Sequence, residues 1–185
     1  AEEVLLARLQ EKKLPIRPDM RIAITGGSRG IADYPAVMRA AVRYIKACGA
    51  VPFIVPAMGS HGGATAEGQL QILEGYNITE ESMGCPIRSS METVLLGTSE
   101  LGKPVYLDKI AYHSDGIIVS CRVKPHNAFR GPYERGFCKM MVVGLGKQEG
   151  AESVHSDGMG RIGRNIPTMA KVVLESSSKR QSHSR

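Results

Sequence analysis

The sequence has no tryptophan and few aromatic residues, which amount to 5% of its 185 positions. Proteins that bind single-stranded nucleic acids stack the bases on aromatic side chains, and duplex-binding proteins concentrate Lys and Arg on one face. Here the 24 Lys and Arg residues are scattered along the chain and leave a net charge of +6. We therefore expect no nucleic-acid partner, and a modest positive charge of this kind suits a small anionic substrate.

Long hydrophobic runs and paired cysteines are also missing. No apolar stretch approaches the roughly 20 residues that a membrane-spanning helix needs. The first residues include Glu2 and Glu3 and do not have the composition of a secretory signal. The four cysteines are far apart and form no C-x-x-C pair, which argues against a zinc ribbon and a disulfide framework. We expect a cytoplasmic protein with free thiols and no membrane contact.

Strand and helix patterns alternate in the middle of the chain. Arg21–Gly26, Val51–Val55 and Gly116–Cys121 are predicted to be buried strands, and a helix is predicted from Pro35 to Cys48. A strand–helix–strand unit implies two parallel strands joined by a right-handed crossover. The sequence therefore predicts an α/β fold, a three-layer domain with a mostly parallel sheet.

Capping residues and periodicity predict the remaining elements. These are an amphipathic helix over residues 2–13, two helices capped by Thr65 and Thr79, a hairpin of Glu92–Gly97 and Pro104–Leu107, and helices over Tyr133–Leu145 and Thr168–Glu175. We divide the chain into an N-terminal helix and linker (1–20), a catalytic domain (21–175) and a disordered tail (176–185), whose composition is rich in Ser, Lys and Arg.

Chemically distinctive residues follow the predicted strands. In an open α/β sheet, ligands bind beyond the carboxyl ends of the strands. The first strand runs into Gly26-Gly27-Ser28-Arg29-Gly30, where glycines and an arginine favour an anion, although the G-x-G-x-x-G spacing of dinucleotide-binding proteins is missing. The second is followed by His61 among glycines, an approachable imidazole suited to proton transfer.

Three further residues complete the candidate site. His126 follows the Gly116–Cys121 strand in a segment that also carries Arg122, Lys124 and Arg130. Lys139 lies in a mainly apolar segment, where a lysine either extends to water or is desolvated and suited to covalent chemistry. His155 lies further along the chain.

The sequence resembles the lactate racemase family that depends on a nickel-pincer nucleotide, over residues 20–175. The resemblance rests on three phrases: Gly59-Ser60-His61-Gly62-Gly63-Ala64-Thr65, Val123-Lys124-Pro125-His126, and Gly136-Phe137-Cys138-Lys139-Met140 with Gly144-Leu145-Gly146-Lys147. It rests also on spacing, since His61, His126, Lys139 and His155 succeed one another at intervals of 65, 13 and 16 residues.

The resemblance implies a cofactor and a role for each residue. The nickel-pincer nucleotide is a nicotinate-derived mononucleotide with a thioamide and a thiocarboxylate, and its thioamide would form on Lys139. His155 would complete the nickel coordination, and Arg29 with Ser28 would bind the cofactor phosphate. His61 and His126 would be acid and base on opposite faces of a 2-hydroxy acid, with hydride passing reversibly to the cofactor. Enzymes that make the cofactor would be the protein partners.

The departures from the family pattern bear on substrate and domain organisation. Gly26-Gly27-Ser28-Arg29 stands where the family has Asp-x-Thr-Arg, so a ribose-binding carboxylate is missing. Gly62-Gly63 stands where Arg-Pro commonly follows the first histidine, which favours a substrate larger than lactate. The resemblance also implies that this is the N-terminal domain of a two-domain enzyme, and that the isolated fragment is a poor catalyst.

Two other classes of protein remain open from the residues alone. One is a zinc-dependent hydrolase in which His61, His126 and His155 bind the metal. The other is a non-catalytic module that binds a phosphate or a nucleotide through the Arg29 loop. Metal analysis distinguishes them, because the isomerase needs nickel with sulfur ligands, the hydrolase needs zinc, and the module needs no metal.

Overall fold

A computed structural model describes residues 1–122 and 136–183, apart from the side chains at positions 159 and 178–183. Five strands and eight α-helices are found in these ranges. In chain order the elements are α1 (Glu2–Lys12), β1 (Arg21–Gly26), α2 (Tyr34–Ala47), β2 (Val51–Pro56), a 3₁₀ turn (Gly62–Ala64), α3 (Ala66–Glu74), α4 (Glu80–Met83), β3 (Thr93–Thr98), β4 (Pro104–Asp108), α5 (Lys109–Tyr112), β5 (Gly116–Ile118), α6 (Phe137–Lys139), a π-helical turn (Met140–Gly144), α7 (Lys147–His155), a second 3₁₀ turn (Met159–Arg161) and α8 (Ile162–His183).

The central sheet has the strand order β2-β1-β5, and all three strands are parallel. This confirms the predicted α/β fold with a mostly parallel sheet. The last strand is shorter than predicted, because the ladder ends at Ile118. Beyond it, the backbone N–H of Ser120 donates to the Thr25 hydroxyl at 2.8 Å, so a side chain takes over from the ladder.

Apolar side chains cover both faces of this sheet, as the alternation of strand residues requires. Ile22, Ile24 and Ile54 face a layer formed by α2, α3 and α4. Ala23 and Val55 face the opposite layer, which contains the β4 strand, the π-helical turn, α7 and α8. The sheet is therefore the middle of three layers, and its polar edges are left for a ligand.

The predicted caps and the hairpin are confirmed with small changes of boundary. The Thr65 hydroxyl accepts from the backbone N–H of Gly68, and Thr79 forms a capping box with Ser82. Strands β3 and β4 pair in antiparallel register. Helix α3 ends at Glu74, Gly75 after it is right-handed, and Asn77 adopts a left-handed conformation.

The segment Tyr133–Leu145, predicted to be helical, is helical over Phe137–Gly144, but its hydrogen bonding is irregular. Residues 133–135 lie outside the described residues, and the remainder divides into α6 and the π-helical turn, followed by the unpredicted α7. Close backbone packing explains the irregularity. A Cβ atom on Gly144 would lie 2.8 Å from the carbonyl oxygen of Ala57, and one on Gly146 would lie 2.1 Å from that of Val142.

The last helix is longer than predicted at both ends. It begins at Ile162, because Ile162 and Ile166 are fully buried and anchor an extra turn against the core. Residues 176–183, predicted to be disordered, continue the helix. Extending an existing helix adds one hydrogen bond per residue and avoids the unfavourable step of starting a new helix. None of the helices in the described ranges is long and apolar enough to cross a membrane.

Candidate active site

The loop that carries His61 leaves the carboxyl end of β2. Gly26 at the end of β1 is in register with Pro56 at the end of β2, so the loops that follow both strands emerge at one edge of the sheet. Gly59 has a positive φ of 62°, and its backbone N–H donates to the carbonyl of Gly144 at 3.1 Å. His61 itself is exposed at its ring while its loop backbone is held against the domain.

The two glycines after His61 have different surroundings. A Cβ atom on Gly62 would lie 2.5 Å from the carbonyl carbon of Gly68, whereas one on Gly63 would have nothing within 4 Å. Both have positive φ, of 68° and 65°. Our interpretation that both glycines make room for a larger substrate therefore applies to Gly63 only, because Gly62 is explained by the close approach of α3.

The Arg29 loop is held by two tyrosines. The backbone N–H groups of Gly27 and Gly30 donate to the hydroxyls of Tyr34 and Tyr76, at 2.6 and 3.2 Å. Burial raises the pKa of Tyr34 to about 12, so its hydroxyl stays protonated. The expectation that glycine N–H groups of this loop await an anion is thus wrong for these two, and the exposed Arg29 side chain is the remaining described anion-binding group.

The same loop offers a physical reason for the missing carboxylate. A Cβ atom on Gly26 would lie 2.9 Å from a methyl group of Leu73, and one on Gly27 would lie 3.2 Å from that of Met140. An acidic side chain at either position would therefore displace its neighbours. Ser28 comes next, and its carbonyl accepts from the Tyr76 hydroxyl at 3.1 Å.

Electrostatic coupling connects four of the predicted residues. The pKa of His61 is lowered by desolvation first and then by the positive charges of Arg29 and Lys139. The pKa of His155 is likewise lowered by desolvation and then by Lys139. The positive charge of Lys139 therefore acts on both imidazoles, and that of Arg29 acts on His61.

Lys139 owes its position to the irregular segment around it. It is the last residue of α6, its side chain is partly buried, and the π-helical turn begins at the next residue. Single π-helical turns are frequent at functional sites. Here the turn closes through the backbone N–H of Leu145, which donates to the carbonyl of Met140 at 2.9 Å.

Of the remaining predicted site residues, the structure describes only Arg122. His126, Lys124 and Arg130 lie outside the described residues. Arg122 is exposed after the end of β5, which places it at the same edge of the parallel sheet as the His61 loop. Among the residues described, no three His, Cys, Asp or Glu side chains are grouped closely enough to hold a metal ion.

Sequence reasoning missed a buried polar network beneath the site. Lys147 and Asp108 are fully buried and form an ion pair of 3.0 Å. The Lys147 ammonium also donates to the carbonyl of Pro56 at 2.6 Å and to the side-chain oxygen of the buried Gln69 at 3.3 Å. In the sequence, Lys147 simply follows Gly146, and no local pattern distinguishes it from a surface lysine.

The three-layer fold defines an α/β domain, and Arg29 and His61 follow two strands at the carboxyl edge of its parallel sheet as a candidate ligand site. The family model described as the lactate racemase N-terminal domain matches residues 17–163, and the chain belongs to this family. This confirms the resemblance inferred from the three phrases that contain His61, His126 and Lys139. No curated protein matches the chain.

Proposed function

We propose that the chain bears the cofactor of a nickel-pincer-nucleotide-dependent racemase or epimerase of 2-hydroxy acids. The observation that carries this proposal is the electrostatic effect of Lys139 on two imidazoles, since its charge adds to desolvation in lowering the pKa of both His61 and His155. A covalently attached cofactor with an imidazole-ligated metal needs an amine near an accessible imidazole. Membership of the lactate racemase N-terminal domain family supports the same reading.

The residues present fit such a cofactor by their chemistry. Lys139 supplies the amine, His155 supplies an exposed imidazole within reach of its charge, and Arg29 supplies a cation for a phosphate. Soft sulfur ligands combined with an imidazole suit nickel. When bound, the cofactor supplies a transient hydride acceptor, which avoids a carbanion next to the substrate carboxylate.

His61 has the properties of a general base in this reaction. Its depressed pKa keeps the imidazole largely neutral at neutral pH, so a ring nitrogen can accept the substrate hydroxyl proton. We assign the matching role on the other face of the substrate to His126, on the strength of the resemblance.

The open surroundings of Gly63 favour a substrate larger than lactate. No atom lies within 4 Å of the position that a Cβ atom on Gly63 would take, directly beside the exposed His61. Arg122, at the same edge of the sheet, could bind a second polar group of such a substrate. A panel of 2-hydroxy acids and sugar acids is therefore the appropriate substrate set.

Intact mass spectrometry of the chain co-expressed with the enzymes that make the cofactor tests the attachment. We expect the adduct mass on the native chain and on Lys171→Ala, which removes an exposed lysine of α8, and no adduct on Lys139→Ala. Lys147→Ala is unsuitable as a control, although Lys147 is close to Lys139 in the sequence. Lys147 is fully buried, so its loss would destabilise the domain. An adduct of full mass on Lys139→Ala would refute the assignment.

Two further variants separate the remaining roles. His155→Ala should retain the adduct but lose nickel, as measured by metal analysis. His61→Ala should retain both and lose turnover by about 10²–10⁴-fold, the usual contribution of a general base. Zinc bound in the absence of any adduct would instead favour the hydrolase.

A further inference from the structure

The buried amide of Gln69 holds the backbone on which His61 is carried. Its side-chain nitrogen donates to the carbonyl of Gly59 at 2.9 Å and to the carbonyl of His61 at 3.2 Å. Gln69 is fully buried and belongs to α3, so the loop is tied to a rigid element through one side chain. No other side-chain donor is found on these two carbonyls among the described residues.

The lysine beneath fixes which way this amide points. A lysine ammonium can only donate, so the group of Gln69 that faces Lys147 at 3.3 Å must be its carbonyl oxygen. Backbone carbonyls can only accept, so the group that faces Gly59 and His61 must be the NH₂. The amide therefore satisfies all its neighbours in one orientation only, and Lys147 selects it.

Lys147 is in turn fixed from two other sides. Its ammonium donates to the carbonyl of Pro56, the last residue of β2, and pairs with the carboxylate of Asp108. The other carboxylate oxygen of Asp108 accepts from the backbone N–H of Ala111 and so caps α5. Lys147 adopts this place with a left-handed φ of 55°, a conformation that a non-glycine residue keeps only when its surroundings impose it.

The loop needs such a tether because its own backbone is permissive. Gly59, Gly62 and Gly63 all have positive φ, and glycine loses more conformational freedom on folding than any other residue. A catalytic imidazole must nevertheless be held within about 0.5 Å of its productive position. The carbonyls held by Gln69 include that of His61 itself, so the tether acts directly on the residue whose ring faces the site.

We propose that Gln69, oriented by Lys147, is a positioning residue that fixes the His61 imidazole relative to Arg29 and Lys139. The effect of this positioning on catalysis rests on the function proposed above. The effect on the conformation of the His61 loop does not. In a merely structural role, Gln69 would stabilise the domain as any buried residue does. In the positioning role, its loss releases the His61 loop selectively.

Gln69→Met tests the proposal on the 185-residue chain without cofactor. Methionine has a similar volume and cannot donate to either carbonyl. We expect the backbone amide of Ala64, which donates to the carbonyl of Ser60 within this loop, to exchange at least about tenfold faster in hydrogen-exchange NMR. We also expect the pKa of His61 to rise towards its ordinary value as the ring becomes better solvated and moves away from Arg29 and Lys139. The pKa of His155, carried by α7, should stay unchanged.

Ile45→Ala is the matched control. Ile45 is fully buried in α2 and belongs to the core on the face of the sheet opposite to Lys147. It should lower the midpoint of urea unfolding while leaving the exchange rate of the Ala64 amide and both histidine pKa values unchanged. If Gln69→Met does not fold, Gln69→Asn carries the same test, since it keeps an amide but is one methylene too short to reach its partners.

The outcomes separate this inference from the proposed function. Unchanged exchange at Ala64 together with an unchanged His61 pKa in a folded Gln69 variant would overturn the positioning role. Equal effects from Ile45→Ala would overturn it as well, because general loosening would then suffice. If the loop is released as expected but no adduct forms on Lys139, the positioning role stands and the proposed cofactor chemistry fails.

Discussion

Lys139 and Lys147 lie eight residues apart, yet they belong to two regions with opposite physical demands. The open site contains Lys139, which is partly buried and whose positive charge disfavours protonation of His61 and His155. The buried frame contains Lys147, which is fully buried and has Asp108, Gln69 and a backbone carbonyl around its ammonium. The Lys147 ammonium thus has acceptors around it in the core, whereas the charge of Lys139 acts on two exposed imidazoles.

The pKa values of the two regions reflect this difference. Desolvation lowers the pKa of Lys147, and the neighbouring Asp108 opposes that change. At the open site, desolvation and positive charges act in the same direction on His61. In the buried frame, Asp108 thus offsets the effect of burial on the Lys147 pKa, whereas at the open site the positive charges add to the effect of burial on the His61 pKa.

The largest expected difference between the regions is in stability. Lys147→Met leaves the Asp108 carboxylate buried without its cation and should cost about 3–5 kcal/mol of unfolding free energy. Lys139→Met should cost less, about 1 kcal/mol, because Lys139 is only partly buried and its loss leaves no fully buried carboxylate such as Asp108 without its cation. Urea unfolding at pH 7 measures both. Similar losses from the two would erase the distinction between frame and site.

The glycines after His61 extend the comparison to the loop. Gly62→Ala combines a left-handed conformation with a contact of 2.5 Å to the Gly68 backbone, and should cost about 2–4 kcal/mol. Gly63→Ala meets no atom within 4 Å and should cost about 1 kcal/mol, from its positive φ alone. Denaturant unfolding of the pair checks this, and a Gly63 cost as large as that of Gly62 would contradict the open space beside His61.

Removing both charges of the frame should recover part of what the single change loses. Asp108→Asn added to Lys147→Met keeps an acceptor for the Ala111 N–H but no longer buries an unpaired charge. We expect the double variant to be more stable than Lys147→Met by about 1–3 kcal/mol. A double-mutant cycle at pH 7 gives the coupling energy, and strictly additive losses would mean that the two charges do not interact.

The smallest expected effect is the pH dependence of the open site. Because the folded pKa values of His61 and His155 lie below the unfolded value of about 6.5, the unfolded chain binds more protons in the interval between them. Stability should therefore rise with pH through that interval and be lost as pH falls through the folded pKa values. Lys139→Met should raise both pKa values and flatten this rise.

Imidazole titrations by NMR, with unfolding measured at several pH values, test that expectation. Lys171→Met is the control, since it removes an exposed lysine from α8. It should leave both histidine pKa values unchanged. Histidine titrations that respond equally to either lysine would indicate a general charge effect and not proximity to Lys139.

The sequence by itself determined the fold class, the strand positions and the neighbourhood of the site. Apolar runs between glycine turns located β1 and β2, and parallel strands necessarily place the residues after Gly26 and Pro56 at one edge. The order of His61, Lys139 and His155 indicated the family. These features are local or depend on spacing alone, so periodicity, capping and motif order are sufficient to find them.

Only the tertiary structure decided which residues hold that site in place. At the π-helical turn after Lys139 and at Gly62, backbone segments from different parts of the chain pack so closely that no side chain fits between them. No local sequence pattern predicts such an approach. The network of Lys147, Asp108 and Gln69 joins positions up to 78 residues apart. Whether a lysine is a surface charge or a buried anchor depends on the acceptors that folding places around it, and that is why Lys147 could be recognised only in the folded domain.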